Sequence, residues 1–201
     1  MGLDCRYQGF PSNSKIIKLA YEDADFAQDI LYPAIAFTTQ LEDSYHFREK
    51  EFDIVRKLFK EYPDITTWNY SPVSRMQNAL IYTLNPDSYL ASKNFAAIEK
   101  TLPYKIVKGE KTFNNHLKAT QGLLVRVSSP EFVMKCAEFC RNLNLTTLYQ
   151  NFDAAQMEKN NIYKISKLSN FEAVEEYFIN LSNFYFKIAR YQELLVFVVE
   201  D

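Results

Sequence analysis

A run of apolar residues near the end of the sequence limits the possible folds more than any other feature. Residues 194–199 read LLVFVV, with no polar or charged side chain among them. A strand with one face in solvent would alternate apolar with polar residues, so this run predicts a strand that is covered on both faces. We therefore expect an interior strand with other strands on either side and helices packed across it.

The segment before this strand predicts an amphipathic helix. Ser169 and Glu172 have the spacing of a capping box, which would open the helix. Its apolar residues recur at intervals of three and four, which places them on one face of a helix. They are Val174, Tyr177, Phe178, Leu181, Phe184, Tyr185 and Ile188. We expect this face to lie against the sheet.

Two further segments predict the strands that flank the terminal one. Leu3, Cys5 and Tyr7 alternate with polar residues, which is the period of a half-buried strand. Residues 122–127 form a short run rich in valine and leucine, which is typical of an interior strand. These segments are far apart in the chain, so we expect a small sheet of three or four strands from the N-terminal, middle and C-terminal segments.

The remaining chain predicts helices. Residues 44–62 have the apolar spacing of a long helix. Ser71-Pro72 and Ser129-Pro130 each combine an N-cap residue with a proline in the first turn, which predicts a helix start at both places. Overall, the sequence predicts a helix-rich α+β fold in a single domain over residues 1–201.

Residues 93–118 give the least regular pattern. They predict short helical turns that are broken at Pro103 and Gly109. The segment holds six lysines, but Glu99 and Glu110 dilute their charge and the whole chain carries a formal net charge of −2. A nucleic-acid-binding protein usually shows a strongly basic face, so we expect no nucleic-acid partner.

Several function classes are excluded by what the sequence lacks. Four glycines occur in 201 residues, and no two are close enough to form a phosphate-binding loop. Cys5, Cys136 and Cys140 are too few for a disulfide framework, and with only His46 and His116 they do not suggest a metal site. We expect buried structural thiols, no metal and no cofactor. Reduced cysteines and the absence of a long apolar run predict a soluble cytoplasmic protein without membrane contact.

The last eighty residues resemble a known family. They carry the motifs QG at 121–122, SPEFV at 129–133, YQNFD at 149–153, NIY at 161–163 and FY at 184–185, followed by the terminal strand. This pattern resembles the YfbM-like family of small bacterial proteins, a domain of unknown function. The resemblance implies a compact α+β fold and a bacterial cytoplasmic protein, and it implies no catalytic residues.

Candidate site residues come from loops and first helical turns. Trp68, Arg75, Glu110, His116 and Gln121 are predicted to line a ligand pocket, because they flank Gly109 and Gly122 and could converge. Two functions remain open at this point. The favoured one is a non-catalytic module that binds a protein partner or a small ligand through aromatic-rich loops. The alternative is an enzyme of unrecognised type that uses His116 with Arg75 or Glu110. The sequence does not indicate the oligomeric state.

Overall fold

The protein is built around one antiparallel sheet. The computed structural model describes residues 5–23, 53, 56–57, 60–61, 69–70, 75–92, 95–113 and 124–200. Within these ranges the strands are β1 (Cys5–Pro11), β2 (Asn69–Tyr70), β3 (Lys111–Thr112), β4 (Leu124–Ser128) and β5 (Leu194–Glu200). Their order across the sheet is β2-β1-β5-β4-β3, so the apolar terminal strand lies at the centre, as predicted. The two-residue strands β2 and β3 extend the edges of the three longer strands.

Helices supply most of the described structure. They are α1 (Lys15–Glu22), α2 (Gln77–Leu84), α3 (Pro86–Ala91), α4 (Phe95–Ile98), α5 (Leu102–Lys108), α6 (Pro130–Asn142), α7 (Leu145–Asn151), α8 (Ala154–Lys159) and α9 (Glu172–Ile188). Residues 53, 56–57 and 60–61 are also helical and exposed, as expected for the charged face of the helix predicted over 44–62. The rest of that helix lies outside the described residues. The predicted helix-rich α+β fold is confirmed.

The centre of the sheet pairs the two ends of the described chain. β1 and β5 are antiparallel over seven residue pairs, from Cys5↔Glu200 to Pro11↔Leu194. On its other side β5 pairs with β4, from Leu124↔Glu200 to Ser128↔Val196. All six residues of the LLVFVV run are buried. β1 was predicted to be half-buried, but six of its seven residues are buried because helices cover both faces of the sheet.

Each face of the sheet has its own aromatic contacts. On one face the ring of Tyr7 lies 5.8 Å from the ring of Phe184 in α9. On the opposite face Phe197 makes edge-to-face contacts with Phe10 at 5.7 Å and with Phe113 at 4.8 Å. Tyr21 of α1 then covers Phe113. The core is therefore continuous through the sheet, with α9 on one side and α1 on the other.

The start of α9 differs from the prediction. All seven residues of its predicted stripe are buried, but Ser169 is not its cap. Phe171 occupies the N-cap position and has no capping side chain, while the Ser169 hydroxyl accepts a hydrogen bond from the Ser166 N–H at 3.0 Å. A serine hydroxyl can bind backbone groups in a turn as well as at a helix cap. Here the Ser169 hydroxyl binds the turn that precedes α9.

The start of α2 also differs. The sequence predicts a helix from Ser71-Pro72, which lie outside the described residues, yet Arg75 and Met76 are not helical and α2 begins at Gln77. Met76, with φ −95° and ψ 11°, is the N-cap of α2 and makes no capping hydrogen bond through its side chain. Apart from Asn78, every residue of α2 is buried. This helix lies in the interior, in contact with α5, α7 and α9.

Pro103 opens a helix and does not break one. It stands in the first turn of α5, where the missing N–H of proline costs no hydrogen bond. Thr101 caps this helix by accepting from the Tyr104 N–H at 3.4 Å. Gly109 ends α5 as predicted, with φ +94°, and a Cβ added there would lie 2.9 Å from the Arg126 Cβ. Both the backbone angle and the close approach require glycine.

Candidate functional site

The structure describes two of the five residues predicted to line a pocket. Trp68, His116 and Gln121 lie outside the described residues. Arg75 is half-buried directly before α2, and Glu110 is half-buried in the turn between α5 and β3. The convergence of these five residues, and the enzyme alternative that uses His116, stay predictions.

Glu110 has a structural contact. Its carboxylate Oε2 accepts a hydrogen bond from the Ser129 N–H at 3.0 Å, and its own N–H donates to the Ser128 hydroxyl at 3.2 Å. Ser129 is the N-cap of α6, as predicted, and accepts from the Phe132 N–H. Glu110 therefore joins the turn after α5 to the positive end of α6, where a carboxylate is stabilising.

A buried arginine connects the same turn to α4 and α5. Arg126 of β4 is buried, and its Nε donates to the Gly109 carbonyl at 3.2 Å. Its guanidinium lies 5.1 Å from the centre of the Tyr104 ring and 3.6 Å from a carboxylate oxygen of Glu99. The Tyr104 hydroxyl donates to the same Glu99 oxygen. Pairing of this kind keeps a buried charge in place, so we interpret the cluster as structural.

The buried tyrosines also have structural roles. The Tyr7 hydroxyl donates to the Val107 carbonyl at 2.7 Å, and the Tyr185 hydroxyl donates to the Ile106 carbonyl at 2.7 Å. Both carbonyls belong to the last turn of α5, where backbone acceptors have no partner within the helix. Since Tyr7 gives its proton to Val107, Tyr177 donates in the 2.8 Å contact between the Tyr7 and Tyr177 hydroxyls.

The three cysteines are buried thiols, as predicted, and form no disulfide. Cys5 lies in β1, and Cys136 and Cys140 lie in α6. Burial raises the pKa of Cys140 to about 11 and raises the pKa of Cys136 further. Burial also raises the pKa of Tyr7, Tyr177 and Tyr185 well above the ordinary value. A neutral, enclosed thiol is a poor nucleophile, so these groups suit packing better than catalysis.

The described residues show neither a cluster of metal ligands nor a membrane-spanning helix. Within the described residues, no group of three or more histidine, cysteine or acidic side chains is arranged to hold a metal ion. In the same part of the chain, no helix has the length and apolar character needed to cross a membrane.

An open groove lies between α7 and the start of α9. Its volume is about 880 Å³, and its lining residues are Leu145, Thr146, Tyr149, Gln150, Phe152, Asn170, Phe171, Glu172 and Glu175. We call it the α7–α9 groove. Known ligand sites fall in this size range, at roughly 300 to 1,000 Å³.

One wall of the groove is held in place by α7. Asn144 caps this helix by accepting from the Thr146 N–H at 2.8 Å. Leu148 is buried beneath it, and the Asn151 side chain donates to the Thr83 carbonyl of α2 at 3.0 Å. These contacts fix the inner side of the helix. The outer side presents Tyr149 to solvent, with 65% of its surface exposed.

Three aromatic rings meet in the groove. Phe171 lies between the other two, 5.4 Å from the ring of Tyr149 and 5.7 Å from the ring of Phe152. Both contacts are steeply inclined, at 83° and 62°, which is a favourable arrangement for aromatic pairs. The cluster is therefore ordered by its own contacts and still leaves the Tyr149 ring open to a ligand.

The rim of the groove is acidic. Glu172 and Glu175 stand three residues apart in the first turn of α9, so they project from one side of that helix. The Asn170 side chain donates to the Glu172 carboxylate at 3.2 Å. No lysine or arginine is among the described lining residues. The groove thus combines exposed aromatic surface with negative charge.

Sequence reasoning did not find this groove. Tyr149 and Phe152 were noted as part of a family motif, and Glu172 as part of a capping box. One signal was available. Tyr149, Phe152 and Phe171 lie outside the apolar stripe of α9, and a helix as short as α7 does not require three aromatic rings for its packing. Their convergence depends on how two segments about twenty residues apart dock, which no local pattern reveals.

A family profile and a solved structure are similar to this chain. The profile of the family described as "Domain of unknown function (DUF1877)" matches residues 35–198. Among solved structures, the chain is similar to YfbM from Escherichia coli, described as a protein of unknown function, with a TM-score of 0.57 and 13% identity. That similarity covers 98% of this chain and 99% of the other, and at this identity it concerns the fold alone. A comparison with curated proteins gives no match.

Proposed function

This chain belongs to DUF1877, a family of unknown function, so we propose a function from the protein's own surface. The YfbM-like resemblance in the sequence predicts this family. The protein is a non-catalytic binding module that holds its ligand in the α7–α9 groove. The observation that supports this proposal is the partly exposed aromatic cluster of Tyr149, Phe152 and Phe171.

The exposure of this cluster favours binding over packing. Tyr149 is 65% exposed, whereas the core tyrosines Tyr7, Tyr177 and Tyr185 are almost fully buried. An apolar surface patch with a polar rim typically marks an interaction site. Tyrosine is also enriched among the residues that dominate binding energy at interfaces.

The functional groups in the groove suit recognition. The described lining residues supply two carboxylates, two side-chain amides and two hydroxyls, but no histidine or cysteine. Nucleophilic catalysis needs a nucleophile with a base within hydrogen-bonding reach, and neither hydroxyl of the described lining is hydrogen-bonded to a lining carboxylate, since the bond to Glu172 comes from Asn170. Carboxylates and amides around an apolar centre instead orient a ligand.

A fragment screen followed by nuclear magnetic resonance tests the proposal. We would titrate ¹⁵N-labelled protein with cationic, anionic and neutral fragments at millimolar concentration, where fragment-sized ligands bind. We expect amide shifts to cluster on α7 and on the first turns of α9 for at least one fragment class. If neither these fragments nor a peptide shifts these residues, the proposed function is wrong.

A matched pair of variants makes the assignment specific. Tyr149→Ala removes the exposed ring of the groove, and we expect it to abolish the shifts. Phe95→Ala removes a ring that is equally exposed, at 63%, but lies in α4 outside the groove lining. We expect Phe95→Ala to leave the shifts unchanged. Equal losses in the two variants would contradict a site in the groove.

A further inference from the structure

The charge in the α7–α9 groove indicates what kind of ligand it takes. Glu172 and Glu175 are the charged residues of the described lining, and both are negative. Asn170 holds the Glu172 carboxylate beside the aromatic cluster through its 3.2 Å hydrogen bond. A ligand that carries positive charge would therefore gain attraction here, and an anionic one would be repelled.

Helix stabilisation explains only part of this arrangement. Acidic residues in the first turn of a helix interact favourably with its positive end, so Glu172 and Glu175 would occur there without a ligand. Glu131 is such a residue in α6, where it is exposed and lies outside the groove. The first turn of α9 differs because Phe171 and Tyr149 place aromatic surface beside the carboxylates. Aromatic rings together with carboxylates favour an ammonium or a guanidinium group.

The openness of the groove favours a polypeptide over a small molecule. Sites for small molecules usually enclose roughly 70 to 90% of the ligand surface. Here Tyr149 is itself 65% exposed, so a small ligand on its ring would stay largely in solvent. A polypeptide can bind such a surface because it makes further contacts along the groove. Its apolar side chains would pack against Leu145 and Phe152.

We infer that the α7–α9 groove binds a polypeptide segment that presents a lysine or arginine side chain to Glu172 and Glu175 and an apolar side chain to the aromatic cluster. This inference rests on the proposed function and names the class of its ligand. The juxtaposition of acidic first turn and exposed rings carries it.

Peptide probes test the inference. The cationic probe is a capped hexapeptide that alternates leucine with lysine. One matched probe replaces each lysine with norleucine, and another replaces each lysine with glutamate. Tetramethylammonium serves as the small cation. We expect only the lysine peptide to shift the groove amides strongly, and we expect its affinity to fall between about 50 and about 500 mM salt, as for exposed charges.

Protein variants locate the charge. We expect the Glu172→Gln/Glu175→Gln double variant to bind the lysine peptide about fivefold more weakly, as for the loss of exposed ion pairs. Glu131→Gln also removes a first-turn carboxylate, but from α6, and we expect unchanged binding. An equal loss in Glu131→Gln would overturn the inference, because the effect would then come from overall charge.

The other outcomes separate the inference from the proposed function. If the norleucine or glutamate peptide shifts the groove as strongly as the lysine peptide, the groove binds ligands but the inference is wrong. If tetramethylammonium binds as tightly as the lysine peptide, the polypeptide part is wrong. Self-association of the probe-free protein through the groove would make a second copy the occupant and overturn the inference. If no probe and no fragment shifts the groove, the proposed function itself is wrong.

Discussion

Aromatic side chains occupy two opposite environments in this protein. Around the sheet, Tyr7, Tyr177 and Tyr185 are buried and their hydroxyls bond to one another or to backbone carbonyls of α5. In the α7–α9 groove, the Tyr149 ring makes an edge-to-face contact with Phe171 and is largely exposed to solvent. The same residue type therefore stabilises the fold in one region and remains available for binding in the other. The burial of each ring separates the two roles.

The largest effect is expected from removing a buried ring of the core. Phe184 of α9 contacts Tyr7, Tyr70 and Tyr185 and is buried. We expect Phe184→Ala to lower the free energy of unfolding by about 3 to 5 kcal/mol, because it removes apolar contacts and leaves a cavity. Urea unfolding followed by circular dichroism measures this change. A loss below about 1 kcal/mol would show that the core relaxes around Phe184 and would weaken the contrast between the two regions.

Alkaline pH should destabilise the core through its thiols. The folded-state pKa of Cys136 and Cys140 is raised above the ordinary value of 9.0, so the unfolded state loses its thiol protons first as the pH rises. Their stabilising contribution is complete below pH 9 and decreases above it. At pH 10 the two thiols together should reduce the free energy of unfolding by about 3 kcal/mol.

Urea unfolding at several pH values measures this decline. In the Cys136→Ala/Cys140→Ala double variant we expect a shallower slope between pH 9 and pH 10, although the variant is less stable at neutral pH. A free energy of unfolding that stays constant up to pH 10 would contradict the burial of the thiols.

Loss of a single core hydroxyl should have a smaller effect. Tyr185→Phe keeps the ring but leaves the Ile106 carbonyl without the hydroxyl that now donates to it at 2.7 Å. We expect a loss of about 1 to 3 kcal/mol in the free energy of unfolding, because a buried acceptor loses its partner. Tyr149→Phe is the matched control and should not change stability. Equal effects of the two substitutions would remove the distinction between core and groove hydroxyls.

The smallest effect on stability is expected at the exposed ring of the groove. Tyr149→Ala should change the free energy of unfolding by no more than about 0.5 kcal/mol, as is usual for surface substitutions. Thermal melting of the variant beside the parent protein measures this change. A loss of several kcal/mol would show that Tyr149 belongs to the core, and the groove would then have a structural role.

Local sequence patterns predicted the elements that depend on nearby residues. The stripe of α9 and the terminal strand were predicted because they are long and strongly apolar, and the Ser129 cap because its acceptor contact is local. The predicted cap at Ser169 was wrong, since its hydroxyl serves the preceding turn. Pro103 was misread as a break, although it opens α5. Both errors arise where two local structures compete and tertiary packing decides between them.

The candidate site was harder to predict than the fold. The groove forms because Leu148 and Asn151 anchor α7 on α2 while Phe171 precedes α9. No periodicity connects these residues. The apolar patterns that predicted the buried core do not identify an exposed ring. Glu110 shows the converse difficulty. Its position in a loop beside Gly109 suggested a ligand site, and the structure places its carboxylate against the N–H of Ser129.

The pairing of β1 with β5 determines when this protein can fold. The central strand pairs with residues that lie almost the whole chain away, from Cys5↔Glu200 to Pro11↔Leu194. During synthesis β1 leaves the ribosome long before β5 has been made. The backbone groups of β1 that pair with β5 therefore stay unpaired while the helices between them form. Contacts this distant in sequence also slow folding, because a long loop must close before they yield any stability. Completion of the sheet is therefore a late step, and the unfinished chain is the state most in need of chaperone protection.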